Sequence, residues 1–259
     1  MRKQRILLFF FLLLILSPVG WAEEELFPLE KAEVNLTDLA SAQRGAKLFM
    51  NYCAGCHSLK YLRYNQMAKG LGLTTDDGSP DQDLLKNLMF TTAKTTDHVL
   101  TAIPMENAAE WFGGITPPDL SLEVRIRGAD WIYTYLKSFY EDKTRPFATN
   151  NALYPQVAMP DVLYPLQGKQ IAITQTSTHV FEGNTIKTTT IDHLQSLGNG
   201  EMSEQAFNSA IGDIVNFLAY VGEPDQLTRI HLGYWVIAFL IILLLFAYLL
   251  KKEYWKDIK

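Results

Sequence analysis

The sequence predicts a mainly α-helical fold with a small β-hairpin insertion and one C-terminal transmembrane helix. Three observations lead there. Apolar residues recur at helical spacing through 39–52 and again from Phe207 to Tyr220, residues 170–191 alternate β-branched and polar side chains around a tight-turn signal, and Leu232 to Leu250 is apolar without one charge.

In chain order, the first element is a leader. Arg2, Lys3 and Arg5 precede an apolar run from Ile6 to Leu16, followed by small residues at Gly20 and Ala22. That order predicts a secretory signal peptide over 1–22, cleaved before Glu23; the alternative is an uncleaved N-terminal anchor. Residues 39–52 form an amphipathic helix with Gly45 and Phe49 on one face, and this helix delivers Cys53-Ala54-Gly55-Cys56-His57. C-x-x-C-H is the attachment motif of a c-type haem. On one helical turn the two thiols reach the two vinyl groups, and the adjacent imidazole becomes the proximal iron ligand. A thioredoxin-like pair would want a βαβ setting, and a zinc site would need a second pair of ligands. Cys53 and Cys56 are also the chain's two cysteines, although export would permit disulfides.

An electron-transfer haem needs a second axial ligand, and methionine is favoured where the potential must be high. Met50 lies on the attachment helix itself, and Met67, Met89, Met105 and Met202 fall in or beside helical patterns, where methionine fills core space. Met159 differs, because Pro155 and Pro160 bracket it in a stiff loop. It is the expected ligand, with Met105, His98, His179 and His193 as alternatives, and His231 is assigned to the membrane interface. After this loop comes the hairpin, Gln170 to Ile191, turning at Phe181-Glu182-Gly183-Asn184. Ser203 then caps a helix that Gly222 and Pro224 stop.

The last element is the span, 231–250, with Tyr234 and Trp235 at one interface and Tyr254 and Trp255 at the other. Lys251, Lys252, Lys256 and Lys259 follow, so residues 251–259 are expected to be a cytoplasmic tail and 23–230 a periplasmic haem domain. The formal charge of −5 becomes −8 without the three cations of the leader, and −10 without the net +2 of the tail. So acidic a domain argues against nucleic acid and for a cationic partner, if the charge is used at all. Asp76, Asp77, Asp81 and Asp83 gather in one loop that is either a docking site for a basic cytochrome c or simply solvated.

Beyond these elements, four stretches resemble the cytochrome c1 family across nearly the whole mature chain. They are Arg44-Gly45 leading into Cys53 to Leu59 with Tyr61 and Tyr64; Gly113-Gly114-Ile115-Thr116-Pro117-Pro118-Asp119-Leu120-Ser121 with Arg125 and Arg127; Met159-Pro160 with Leu163; and the C-terminal span. The first is common to c-type cytochromes, whereas the Pro-Pro-Asp-Leu-Ser block and the anchor single out this family. The resemblance implies a class I cytochrome c-like fold in which the first and last helices cross, one covalent haem c with its iron, and Arg127 paired with a haem propionate. Trp131 could shield the haem edge, although a core role is the plainer reading. Asp161 and Val162 stand where many relatives continue a Pro run, and Arg127-Gly128-Ala129 shortens a longer segment, departures that suit a bacterial variant.

By the same resemblance, the chain is an electron-carrier subunit of the cytochrome bc1 complex (ubiquinol–cytochrome c reductase) in the bacterial inner membrane. It would accept an electron from the Rieske iron–sulfur protein, dock against cytochrome b, and reduce a soluble cytochrome c, making no bonds in substrate itself. An anchored cytochrome c subunit of a terminal oxidase or nitric oxide reductase is the alternative. A haem peroxidase would need an open distal face, and a haem sensor an output domain that residues 251–259 are too few to form.

Overall fold

The computed structural model describes residues 27–181 and 184–256, so the leader expected over 1–22, the turn residues Glu182 and Gly183 and the last three residues of the tail lie outside the described residues. Its elements, in chain order, are α1 (Leu39–Tyr52), β1 (Leu59–Arg63), α2 (Tyr64–Gly70), α3 (Gln82–Leu85), β2 (His98–Val99), α4 (Met105–Trp111), α5 (Glu123–Arg127), α6 (Ala129–Lys137), β3 (Phe139–Glu141), β4 (Thr149–Asn151), α7 (Tyr164–Gln167), β5 (Gly168–Phe181), β6 (Asn184–Asn199), α8 (Glu204–Gly222) and α9 (Gln226–Tyr254). The fold is mainly helical, as the periodicity predicts, and the strands pair in three separate antiparallel couples.

The core is the crossing of α1 and α8. Asp38 caps α1 by accepting from Ser41 N at 2.9 Å, and Ser203 caps α8 by accepting from Ala206 N at 3.3 Å. Where the helices cross, a Cβ on Gly45 would lie 1.9 Å from the Asp213 carbonyl oxygen and 2.8 Å from Phe217 Cβ. Only glycine allows that approach. Phe49 and Phe217 fill the crossing with rings 5.7 Å apart, tilted by 52°. At its rim Arg44 grips Asp213 in a two-pronged pair, Nε to Oδ2 at 2.7 Å and Nη2 to Oδ1 at 2.8 Å.

The chain before α1 ties α6 and α8 together. Glu30 N donates to Thr134 Oγ1 and Ala32 N to Asp130 Oδ1, both at 2.8 Å, while Asn35 N donates to Asn216 Oδ1 at 2.9 Å. Helix α2 packs beneath α8, where the Tyr220 hydroxyl donates to the Gln66 carbonyl at 3.1 Å.

The hairpin extends past the expected 170–191 at both ends. It runs through strands of 14 and 16 residues, pairing from Gly168 opposite Asn199 to Phe181 opposite Asn184. On β6 the β-branched alternation stops at Ile191, and towards the base His193, Gln195 and Ser196 keep the ladder without it, past a register shift at Asp192. Its base is fastened by Gln170 Nε2, which donates to the carbonyls of Lys137 and Phe139 at 2.8 and 2.9 Å. Helix α9 begins well before the apolar run and continues past it. Its 29 residues reach about 43 Å at ~1.5 Å per residue, enough to cross a membrane, and no residue of it is buried.

Candidate haem site

Helix α1 ends in the cysteine motif because its last turn continues into it. Cys53 N and Ala54 N both donate to the Phe49 carbonyl, at 2.8 and 2.9 Å, and His57 N returns to the Cys53 carbonyl at 2.8 Å. Cys53 and Cys56 are unbonded thiols. Burial pushes the Cys53 thiol up to about 12 and raises Cys56 as well, which keeps both neutral and unlike the activated pair of a disulfide oxidoreductase.

The imidazole of His57 is buried, and burial lowers its pKa, so it is neutral. Its Nδ1 lies 2.8 Å from the Pro118 carbonyl oxygen. A carbonyl can only accept, so Nδ1 carries the proton and Nε2 keeps its lone pair for a metal.

The Pro-Pro-Asp-Leu-Ser block makes that contact possible by clasping the residues after the motif. Leu120 N donates to the Ser58 carbonyl at 2.9 Å, Lys60 N to Asp119 Oδ2 at 2.8 Å, and Tyr61 N to the buried Ser121 Oγ at 3.2 Å. A further strap comes from Thr101, whose N donates to Ser58 Oγ at 2.8 Å and whose Oγ1 donates to the Gly55 carbonyl at 2.7 Å.

Met159 comes to the same place from the other half of the chain. Strand β4, paired with β3, presents Asn150 and Asn151, and these two side chains take over the hydrogen bonding of the loop that follows. Asn151 Oδ1 accepts from Leu153 N and Tyr154 N at 3.0 Å each, and Asn150 Oδ1 accepts from Gln156 N at 2.8 Å. Arg145 Nη2 donates to the Gln156 carbonyl at 2.9 Å. The loop reaches Met159, whose Sδ accepts from the Tyr135 hydroxyl at 3.5 Å. Burial raises the Tyr135 pKa well above the usual phenol range, so this hydroxyl remains a donor.

These segments enclose one cavity of about 460 Å³. Cys53, Cys56, His57, Arg127 and Met159 all line it, with Pro117, Pro118, Trp131, Tyr135 and residues of α8 completing a mostly apolar wall. Two thiols, an imidazole with a free nitrogen and a thioether around an apolar hollow are the donor set that a covalently held haem requires, so the residues present fit the group.

Arg127 sits at the exposed edge of the cavity, its guanidinium 4.3 Å above the Trp131 ring and its Nε donating to Glu123 Oε2 at 3.0 Å. Trp131 in turn stacks on Tyr135 at 5.0 Å with only 11° between the rings.

Of the other candidate ligands, the side chains of Met105 and His179 lie outside the described residues. Met67 is buried in the core, and Met89, Met202, His98 and His193 do not line the cavity. In the acidic loop Asp77 accepts from Thr75 and Ser79, Asp81 caps α3 and Asp83 meets Lys86 at 2.9 Å, so three of its four carboxylates serve local structure. The sequence reading did not foresee the Pro118 carbonyl, Tyr135, Glu123, Arg145 or the Asn150–Asn151 pair.

The chain matches the Cytochrome C1 family over residues 30–258. It is 49% identical over 230 residues to cytochrome c1 of Allochromatium vinosum, covering 89% of each chain. It is 38% identical over 255 residues to the ammonia monooxygenase gamma subunit of Nitrosomonas europaea, covering 98% of this chain and 99% of that one. It is 28% identical over 243 residues to the mitochondrial cytochrome c1 heme protein of Schizosaccharomyces pombe, covering 86% of this chain and 68% of that one.

Proposed function

We propose that this chain, which belongs to the cytochrome c1 family, takes single electrons from a Rieske iron–sulfur protein and passes them to a soluble cytochrome c. As a family member it is a membrane-anchored electron-transfer subunit of the cytochrome bc1 complex with one covalently bound haem c. When bound, that haem supplies a centre that alternates between ferric and ferrous iron.

The chain's own residues hold and tune it. Cys53 and Cys56 would hold the haem through their sulfurs, His57 Nε2 and Met159 Sδ would bind its iron, and the Pro118 carbonyl keeps the imidazole turned and its Nε2 basic. Arg127 engages a propionate: its bond to Glu123 uses Nε, and the two Nη groups remain for a carboxylate. The apolar wall excludes water, which favours the less charged ferrous centre. Helix α9 anchors the domain beside cytochrome b. The leader occupies 1–22, the periplasmic domain 23–230, the span 231–250 and the cytoplasmic tail 251–259, an orientation supported by the lysines that follow the apolar run.

The observation that carries this reading is the convergence of Cys53, Cys56, His57 and Met159 on one apolar cavity. A reduced-minus-oxidised optical spectrum of the tagged protein, purified from native membranes in mild detergent, tests the assembly. Quinol-reducible b-type bands beside the c-type band support it, and a-type bands would indicate an oxidase instead. A second reading comes from the Nitrosomonas europaea relative, whose name assigns it to ammonia monooxygenase. Copurification with a monooxygenase and no b-type haem would move this chain to that assembly. Within the site, Met159→Leu is expected to keep covalent haem while converting the low-spin ferric spectrum to high spin; an unchanged spectrum would pass the ligand role to another residue.

A further inference from the structure

We propose that Tyr135 is a positioning residue for the axial thioether: its hydroxyl, donated to Met159 Sδ, raises the reduction potential and holds the sulfur on the iron. The proposal rests on Met159 as the ligand and goes beyond it by assigning a residue that tunes it.

The geometry is restrictive. The hydroxyl lies 3.5 Å from the sulfur, a distance suited to the larger radius of that acceptor, and it makes no other hydrogen bond among the described residues. The ring cannot swing away. It is stacked on Trp131 at 5.0 Å and met edge-on by Phe139 at 5.2 Å and 71°.

Donor and acceptor are also tied together through the main chain by one buried side chain. Asn151 Nδ2 donates to the Tyr135 carbonyl at 2.8 Å, while Asn151 Oδ1 accepts from Leu153 N and Tyr154 N at the start of the ligand loop. The helix carrying the hydroxyl and the loop carrying the thioether therefore keep a fixed separation.

The chemistry gives the effect a sign. A proton directed at the sulfur withdraws electron density that would otherwise stabilise ferric iron, so the bond favours the ferrous state. It also supplies a restraint that a competing ligand must break.

The test uses the complete chain, haem attached, in its detergent-solubilised complex. Tyr135→Phe keeps the ring and its stacking and removes only the donor, and Tyr133→Phe on the same helix serves as control. Three readouts are taken: the midpoint by potentiometric titration, the thioether-to-ferric charge-transfer band, and carbon monoxide binding to the ferrous protein. Tyr135→Phe is expected to shift the electron-exchange equilibrium about threefold towards ferric, or ~28 mV at 59 mV per decade, to move the charge-transfer band, and to admit carbon monoxide more readily. Tyr133→Phe is expected to change none of these.

An unchanged midpoint and band in Tyr135→Phe would overturn the proposal, as would an equal shift in Tyr133→Phe or a Tyr135→Phe chain that fails to retain haem, which would make the hydroxyl a folding element. A wild-type spectrum without the charge-transfer band would remove Met159 as ligand and this proposal with it, while leaving the attachment by Cys53 and Cys56 untouched.

Discussion

The motif residues Cys53, Cys56 and His57 and the loop from Tyr154 to Met159 line one cavity, yet they are held there by different kinds of bond. The attachment segment is fastened by its own backbone: Cys53 and Ala54 bond to Phe49, and His57 bonds to Cys53, as a continuation of α1. The ligand loop has no such ladder. Its donors at 153, 154 and 156 are taken by the side chains of Asn151 and Asn150, and its Gln156 carbonyl by Arg145. A backbone ladder fails only when the helix it extends loses its packing, whereas a loop held by side chains can be released by one substitution elsewhere. Haem attachment and axial ligation should thus be separable, and a set of variants can break or sharpen that separation.

The largest effect is expected at Gly45, where the attachment segment depends on the helix crossing. Gly45→Leu places side-chain carbon where the Asp213 carbonyl oxygen lies 1.9 Å from even a Cβ. Forcing α1 and α8 apart should cost about 3 kcal/mol or more. Loss of covalent haem on a haem-stained gel, together with loss of helical circular dichroism, is the expected outcome. Normal accumulation of holoprotein would show that attachment does not need the crossing.

Next comes Asn151→Ala, aimed at the loop alone. It removes the acceptor of Leu153 N and Tyr154 N and one of the partners of the Tyr135 carbonyl and the Ser138 hydroxyl, which keep each other, in a residue with no exposed surface. A penalty of about 3 kcal/mol is expected, since buried groups left unpaired cost ~1–3 kcal/mol each and water can reach some of these. Covalent haem should persist, while the ferrous protein gains carbon monoxide binding. If haem attachment is lost as well, the two regions are one cooperative unit and the separation fails.

The same difference decides what could be read from the sequence. The helices and the Ser203 cap are encoded within a few residues, so 39–52 and 203–222 emerged from apolar spacing and capping chemistry. Cys53, Cys56 and His57 form a contiguous motif, and Met159 stood out through its flanking prolines. The side chains that hold the loop had no such mark. Asn150 and Asn151 look like ordinary turn residues until β3 and β4 pair, and the Pro118 carbonyl is a backbone atom that no residue type advertises. The Pro-Pro-Asp-Leu-Ser block was legible as a resemblance only; its physical reason is the clasp on Ser58, Lys60 and Tyr61. The true length of the hairpin was hidden because much of its surface is exposed, and a strand that buries neither face needs no apolar period.

A smaller effect is expected on the attachment side from Arg44→Leu, which leaves the buried Asp213 carboxylate without its two-pronged partner. Because the Arg44 side chain is 58% exposed, solvent screens the pair, and about 1 kcal/mol is a reasonable loss. Thermal unfolding should occur at lower temperature, and the gap from wild type should narrow in high salt, with the haem spectrum and carbon monoxide reactivity unchanged. An altered haem spectrum would mean that the crossing communicates with the iron after all.

The smallest expected effect is on the loop side and depends on pH. Hydrogen bonds from the Thr144 hydroxyl and Asn150 amide hold the Asp142 carboxyl below its ordinary range. Because the folded value is depressed, those bonds stabilise the β3–β4 turn at every pH above the unfolded carboxyl pKa and are withdrawn as the pH falls through the folded one. Asn150, which holds Gln156 N with its oxygen, loses its amide partner in the same step. Acid titration of the thioether-to-ferric band should therefore find wild-type axial ligation weakening only as the pH falls below the ordinary carboxyl range, and sooner than haem attachment. Asp142→Asn cannot titrate, so it should remove part of that acid dependence and leave the neutral spectrum almost as it was. Identical acid curves for wild type and Asp142→Asn would place the acid sensitivity elsewhere, and would mean that Asn150 holds the loop without help from its carboxylate partner.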